Sequence, residues 1–148
     1  GLYASVMESN PSALRREANP VESVAYADAE LFARRIGWIL GARVRLPTLA
    51  EFIAAAGDLT QPVATEDAWT AANTDGVGAR PVATARPSAQ GFHDLVGNVE
   101  EWTVAKEGET RAPVAGGSVA SAPAADLPVR QVFKREKSRT LGFRIVIE

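Results

Sequence analysis

A chain of 148 residues with 46% apolar and 23% charged side chains has the make-up of one globular domain able to bury its own core. Its net charge of −2 lacks the basic excess of a dedicated nucleic-acid binder, and no apolar run approaches the ~18 residues of a membrane span. Cysteine is absent, which removes disulfides, thiolate metal sites and thiol nucleophiles together and leaves the compartment undecided.

Residues 1–22 read as mostly irregular, with turn signals at Asn10-Pro11-Ser12 and Asn19-Pro20 and no signal-peptide pattern. From about Tyr26 to Ile36, Ala29, Phe32, Ala33 and Ile36 share one helical face, and Gly37 or Gly41 provides the stop. Arg43–Leu46 follows as a short strand. Thr48 and Glu51 then form a T-x-x-E capping box for a second helix at about 49–56. Helical periodicity ends there. Residues 58–141 carry Gly, Pro, Asn, Asp and Ser at short intervals, which predicts a loop-rich stretch pinned by short strands. In the closing GFRIVIE, Phe143, Ile145 and Ile147 alternate with Arg144, Val146 and Glu148, as in a strand. Two helices followed by short antiparallel strands give an α+β order.

Two features stand out chemically. Asp94 and Glu101 bracket a Gly-Asn pair inside GFHDLVGNVEEW, an arrangement open to a catalytic pair, a metal loop or a surface turn. Arg130, Lys134, Arg135, Lys137, Arg139 and Arg144 cluster near the C-terminus against Glu136 and read as a solvated loop. The single histidine, His93, offers no second imidazole for a metal site or a triad and reads as a packing residue. Trp38, Trp69 and Trp102 are expected in the core. Glu100, beside Glu101 on a strand, is expected to face solvent.

The stretches NPVESVAYADAELFARRIG, RLPTLAEF, AWTAAN, GFHDLVGNVEEWT, AGGS and LGFRIV together resemble the formylglycine-generating enzyme (sulfatase-modifying factor) family in the same order along nearly the whole chain. The resemblance implies a single domain over 1–148 with that family's variant of the C-type lectin fold. It also implies further strands upstream of the position of Gly1. The C-terminal strand at 142–147 would then have an open edge, to be completed by a partner chain or by self-association.

The resemblance further implies a calcium loop, with ligands from the Asp94 and Glu101 side chains and the carbonyls of Gly97 and Val99. A weaker second metal site would involve Asn73, Thr74 and Asp75, in a segment that looks shortened toward a tight turn. Arg45 and Arg144 match family arginines that anchor structure. The oxygen-dependent enzymes of the family hold copper on a cysteine pair. Counting without gaps from Gly116-Gly117-Ser118, those positions are Ser121 and Asp126, neither of which supplies the soft thiolate that copper(I) prefers. No copper is expected.

The expected function is therefore a non-catalytic, calcium-stabilised scaffold that recognises a protein or small ligand through the 118–140 surface, with neither nucleic acid nor membrane as partner. One diversified branch of such display proteins carries an asparagine-rich variable tract, which this chain lacks. The alternative is the substrate-pocket part of an oxidoreductase of the sulfatase-modifying or ergothioneine-synthase type, whose metal ligands lie outside this chain.

Overall fold

The computed structural model describes residues 1–57, 59 and 63–148. Among the described residues three helices, α1 (Leu2–Met7), α2 (Tyr26–Leu40) and α3 (Leu49–Ala56), combine with six short strands, β1 (Val44–Arg45), β2 (Glu100–Trp102), β3 (Arg111–Ala115), β4 (Val129–Phe133), β5 (Leu141–Phe143) and β6 (Val146–Ile147). One sheet runs β4-β3-β2-β5, and a separate ribbon pairs β1 with β6. Neighbours are antiparallel except β2 and β5, which run parallel.

Strand alternation divides the larger sheet into two buried faces. Trp102, Ala112, Val114, Val132 and Leu141 point to one side and pack with Val24, Tyr26, Ala29 and Leu46. The Trp102 indole N–H donates to the Val24 carbonyl at 2.9 Å, so the largest core side chain is also polar-satisfied. Ala115 points to the other side and meets Phe52, Ala56 and Leu95. Helix α2 therefore covers one face, and α3 with the loop before β2 covers the other.

Helix α3 and its Thr48–Glu51 capping box match the sequence reading. Thr48 Oγ1 accepts from Glu51 N at 3.1 Å, and Glu51 Oε2 accepts from Thr48 N at 2.8 Å. Helix α2 runs past Ile36 to Leu40. Gly37 is not its stop: a Cβ there would press on the Ala42 carbonyl, so the glycine permits a close return of the chain, and Gly41 at φ 64 ends the helix.

Several expectations are corrected. Residues 2–7 form α1, too short to leave a clear period; Tyr3 stacks on Phe32 at 5.3 Å. The C-terminal strand is two strands, because the chain changes sheets after Arg144: β5 joins β2 and β6 joins β1. β5 ends its sheet, and the 21–23 segment runs beside it, with a Cβ on Gly142 blocked by the Val21 carbonyl. Trp38 is 73% exposed, since it lies on the side of α2 opposite the core. Trp69 is half-buried and donates to Thr84 Oγ1. Glu100 is only 8% exposed, because β2 is a central strand with both faces covered, and it is met there by Arg130.

Candidate functional site

The loop entering β2 curls tightly. Asp94, Gly97 and Asn98 have φ of 56, 79 and 59, and a Cβ on Gly97 would collide with the Trp69 carbonyl. Gly97 N donates to Gly116 O at 2.7 Å and Asn98 N to Trp69 O at 2.8 Å, stitching the loop to two distant segments. The Asn98 side chain bridges to Arg80, accepting from its N–H at 2.9 Å and donating to its carbonyl at 3.2 Å.

This curl brings Asp94 and Glu101 together around Arg144. The Arg144 guanidinium pairs with both Glu101 oxygens, at 2.8 Å for Nη2–Oε1 and through Nε to Oε2, and Nη2 also donates to the carbonyls of His93 and Asp94. Glu101 is 5% exposed. Burial pushes its carboxyl above the usual carboxylate range, Arg144 opposes that shift, and the Asp94 charge adds to it. Asp94 Oδ2 accepts from Ala83 N at 2.7 Å, whereas Asp94 Oδ1 is buried with no hydrogen-bond partner. The guanidinium thus pairs with the Glu101 carboxylate alone, and the Asp94 carboxylate beside it keeps one oxygen without a partner. A cleft of about 260 Å³ opens here, lined by Asp94, Asn98, Val99, Glu101 and Arg144 among others. Among the described residues no three His, Cys, Asp or Glu side chains converge, so a cation at this loop would draw on two carboxylates and backbone carbonyls.

His93 is half-buried, with Nδ1 on the Ala85 carbonyl at 3.0 Å. Asn73, Thr74 and Asp75 form a turn whose side chains are already engaged. Asn73 Oδ1 accepts from Thr70 N, its amide donates to the Thr65 and Ala68 carbonyls, Thr74 Oγ1 contacts the carbonyls of Thr70 and Val119, and Asp75 caps Val77 N. Arg45 grips Glu51 with two donors and Glu148 with a third, joining β1, the start of α3 and the last residue.

At the Gly116-Gly117-Ser118 turn, Ser121 Oγ accepts from Ser118 N at 3.0 Å, and Ser121 O accepts from Ala71 N at 2.9 Å. The cavity under this turn, bordered by Thr70, Gly97, Gly116, Ser118 and Ser121, measures about 10 Å³, the room of a single water. Asp126 is exposed on the loop beyond. The sequence reading missed the Arg144 clasp and the Glu100–Arg130 pair. Opposite charges in the sequence signal such pairs only once strand register is known.

A short-stranded sheet between two helices, entered by a curled acidic loop, is the architecture of a C-type-lectin-like domain of the formylglycine-generating type. The sulfatase-modifying factor enzyme 1-like domain profile matches residues 4–148, and the chain belongs to that family. Among solved structures it superposes on Treponema denticola variable protein 1 with a TM-score of 0.84, at 19% identity over 97% of this chain and 79% of that one. PvdO from Pseudomonas aeruginosa gives a TM-score of 0.80 at 20% identity, over 91% of this chain and 64% of that one. CarF gives 0.68 at 24% identity, over 91% and 69%. These likenesses concern the fold. No curated protein matches the chain.

Proposed function

We propose that this domain is a non-catalytic scaffold for recognition, its loop before β2 fixed by calcium. The observation that carries the non-catalytic reading is the Gly116–Ser121 turn. The family resemblance assigns Ser121 and Asp126 to the redox cysteines. Here Ser121 spends its hydroxyl on a backbone N–H, and the space below admits about one water. A hydroxyl so committed and a solvated carboxylate offer no thiolate for copper(I) and no bound nucleophile. The 118–140 segment, comprising this turn, β4 and a basic loop, is then free to serve as a presented surface on a fixed frame.

The acidic loop offers calcium one unpartnered hard oxygen, and Glu101 would join it by releasing one oxygen from Arg144. Asp94 and Glu101 against Arg144 leave one net negative charge in a largely buried place, and the orphaned Asp94 Oδ1 is the hard oxygen a cation would take. The Gly97 and Val99 carbonyls would complete the set. A bound ion would relieve the repulsion between the two carboxylates and hold the curl. Asn73, Thr74 and Asp75 already have hydrogen-bond partners, so no second ion is proposed there.

The non-catalytic reading is tested by incubating the copper-treated protein with a cysteine-containing sulfatase-type peptide and following the peptide by mass spectrometry. Its mass should stay unchanged. Conversion of the cysteine to the aldehyde would refute this reading.

A further inference from the structure

The presented surface contains an open sheet edge. In the β3–β4 ladder Arg111 faces Phe133, Pro113 faces Gln131 and Ala115 faces Val129. Lys134 N donates to Thr110 O at 3.0 Å and Gly116 N to Pro128 O at 3.0 Å. An antiparallel ladder alternates bonded and non-bonded pairs, so the residues of β4 that bond to β3 are Arg130 and Val132. The N–H groups of Val129, Gln131 and Phe133 point the other way, off the sheet. β4 is the end strand, and among the described residues no element other than β3 pairs with it.

The side chains beside this edge are unusual for a guarded one. Edge strands are commonly blunted by charges projecting along them. Here the charged side chain of β4, Arg130, is paired with Glu100 at 2.5 Å while staying 56% exposed, and the opposite face carries Val129, Gln131 and Phe133, with Val129 43% and Phe133 42% exposed. The cations flank that face. Arg111 lies 4.2 Å from the Phe133 ring centroid and Arg135 lies 5.4 Å from it, leaving the guanidinium edges free to bind anions. Neither Arg111 nor Arg135 is in a salt bridge among the described residues. Lys134, next in sequence, turns away to the Tyr26 ring at 5.1 Å, and Glu109 and Glu136 are the nearby acids in sequence.

We propose that β4 is a docking edge for an extended acidic segment of another protein, which adds as a fifth strand. Backbone bonds to Val129, Gln131 and Phe133 would supply affinity. The Arg111–Phe133–Arg135 stack would select alternate glutamate or aspartate side chains on the incoming strand. Charge favours this occupant over a second copy: in an antiparallel pair of β4 edges the arginine stack of each would lie opposite Val129 of the other, with no carboxylate to meet it. The proposal builds on the recognition reading above, and it is tested separately from the peptide-conversion assay.

The probe is a fluorescein-labelled heptapeptide alternating glutamate with threonine and valine, compared with its lysine counterpart. Binding is followed by anisotropy, and amide exchange by NMR. The acidic peptide should bind, the lysine peptide should bind at least about tenfold more weakly, and exchange should slow at Val129, Gln131 and Phe133. Gln131→Pro removes an outward donor without touching the β3 ladder, and Arg111→Glu with Arg135→Glu reverses the flanking charge. Each change should weaken binding by about tenfold or more while the fold stays intact by circular dichroism. Failure of the acidic peptide to bind, equal binding of the lysine peptide, or unchanged exchange at the three amides would overturn the proposal. So would a protein dimer that Gln131→Pro dissolves.

Discussion

At the scale of single residues, Arg144 organises the acidic loop. Its guanidinium neutralises Glu101 and ties down two backbone carbonyls of the loop, so it links the chain's last turn to the entry of β2. Removing one member of a buried pair strands the other. Arg144→Met should therefore cost about 3–5 kcal/mol in urea unfolding, unlike an exposed pair such as Arg86–Glu66, whose loss should cost less than about 1 kcal/mol. Gly97 makes a sharper contrast. Gly97 and Gly91 both sit at positive φ, but only Gly97 faces a carbonyl where a Cβ would go. Gly91→Ala should lower stability by about 1 kcal/mol from strain alone, and Gly97→Ala by clearly more, about 2 kcal/mol or above. Equal melting of the two variants would remove the Trp69 contact from the account of this loop. The acids and the turn were legible in GFHDLVGNVEEW. Arg144 as the partner of Glu101 was not, because the contact spans 43 residues and depends on β5 lying parallel to β2.

At the scale of elements, legibility follows the reach of the forces involved. Helix α3 was readable to the residue because the Thr48–Glu51 box is local chemistry. Thr48→Ala should cost about 1 kcal/mol. Glu51 also grips Arg45 and sits at about 2, well below the usual carboxylate range, with Arg45 the largest cause and the Thr48 bonds next. A depressed carboxylate contributes stability that is present above its unfolded value of 4.5 and is lost as pH falls toward 2. Glu51→Gln should thus flatten the acid limb of the stability curve in that window and leave the alkaline limb alone. A parallel loss at neutral and acid pH would point to packing instead. The elements misread were those set by tertiary contact. α1 exists because Tyr3 finds Phe32 and Phe143, and the end of the chain splits because β1 and β2 each claim part of it. Likewise, an alternation rule sends Glu100 to solvent only if one face of the sheet is open, and for a central strand neither is.

At the scale of the whole molecule, the sheet is the frame and the loops on either side of it are what the frame holds. The family and its α+β architecture were legible from motif order, because RLPTLAEF, GNVEEW and LGFR each mark a junction: a cap, a curl, and a switch between sheets. The exposed β4 edge was not, since no local pattern says which strand ends a sheet. The scaffold account rests on a loop held by a cation. The Asp94 carboxylate beside the Arg144–Glu101 pair leaves negative charge and a free oxygen that would attract calcium, and an ion bound only by the folded state stabilises it by about 2.7 kcal/mol at a hundredfold excess over Kd. For a domain of this size that corresponds to a rise of roughly 5–10 °C. The most direct measurement is thermal unfolding of the full chain in chelator and in millimolar calcium, with Asp94→Asn and Asp75→Asn alongside. Calcium should raise the midpoint of the native protein and of Asp75→Asn by that amount, magnesium should do so poorly, and Asp94→Asn should melt alike in both conditions. A native protein that unfolds at the same temperature with and without calcium would contradict the account, leaving the loop to be held by Arg144 without an ion.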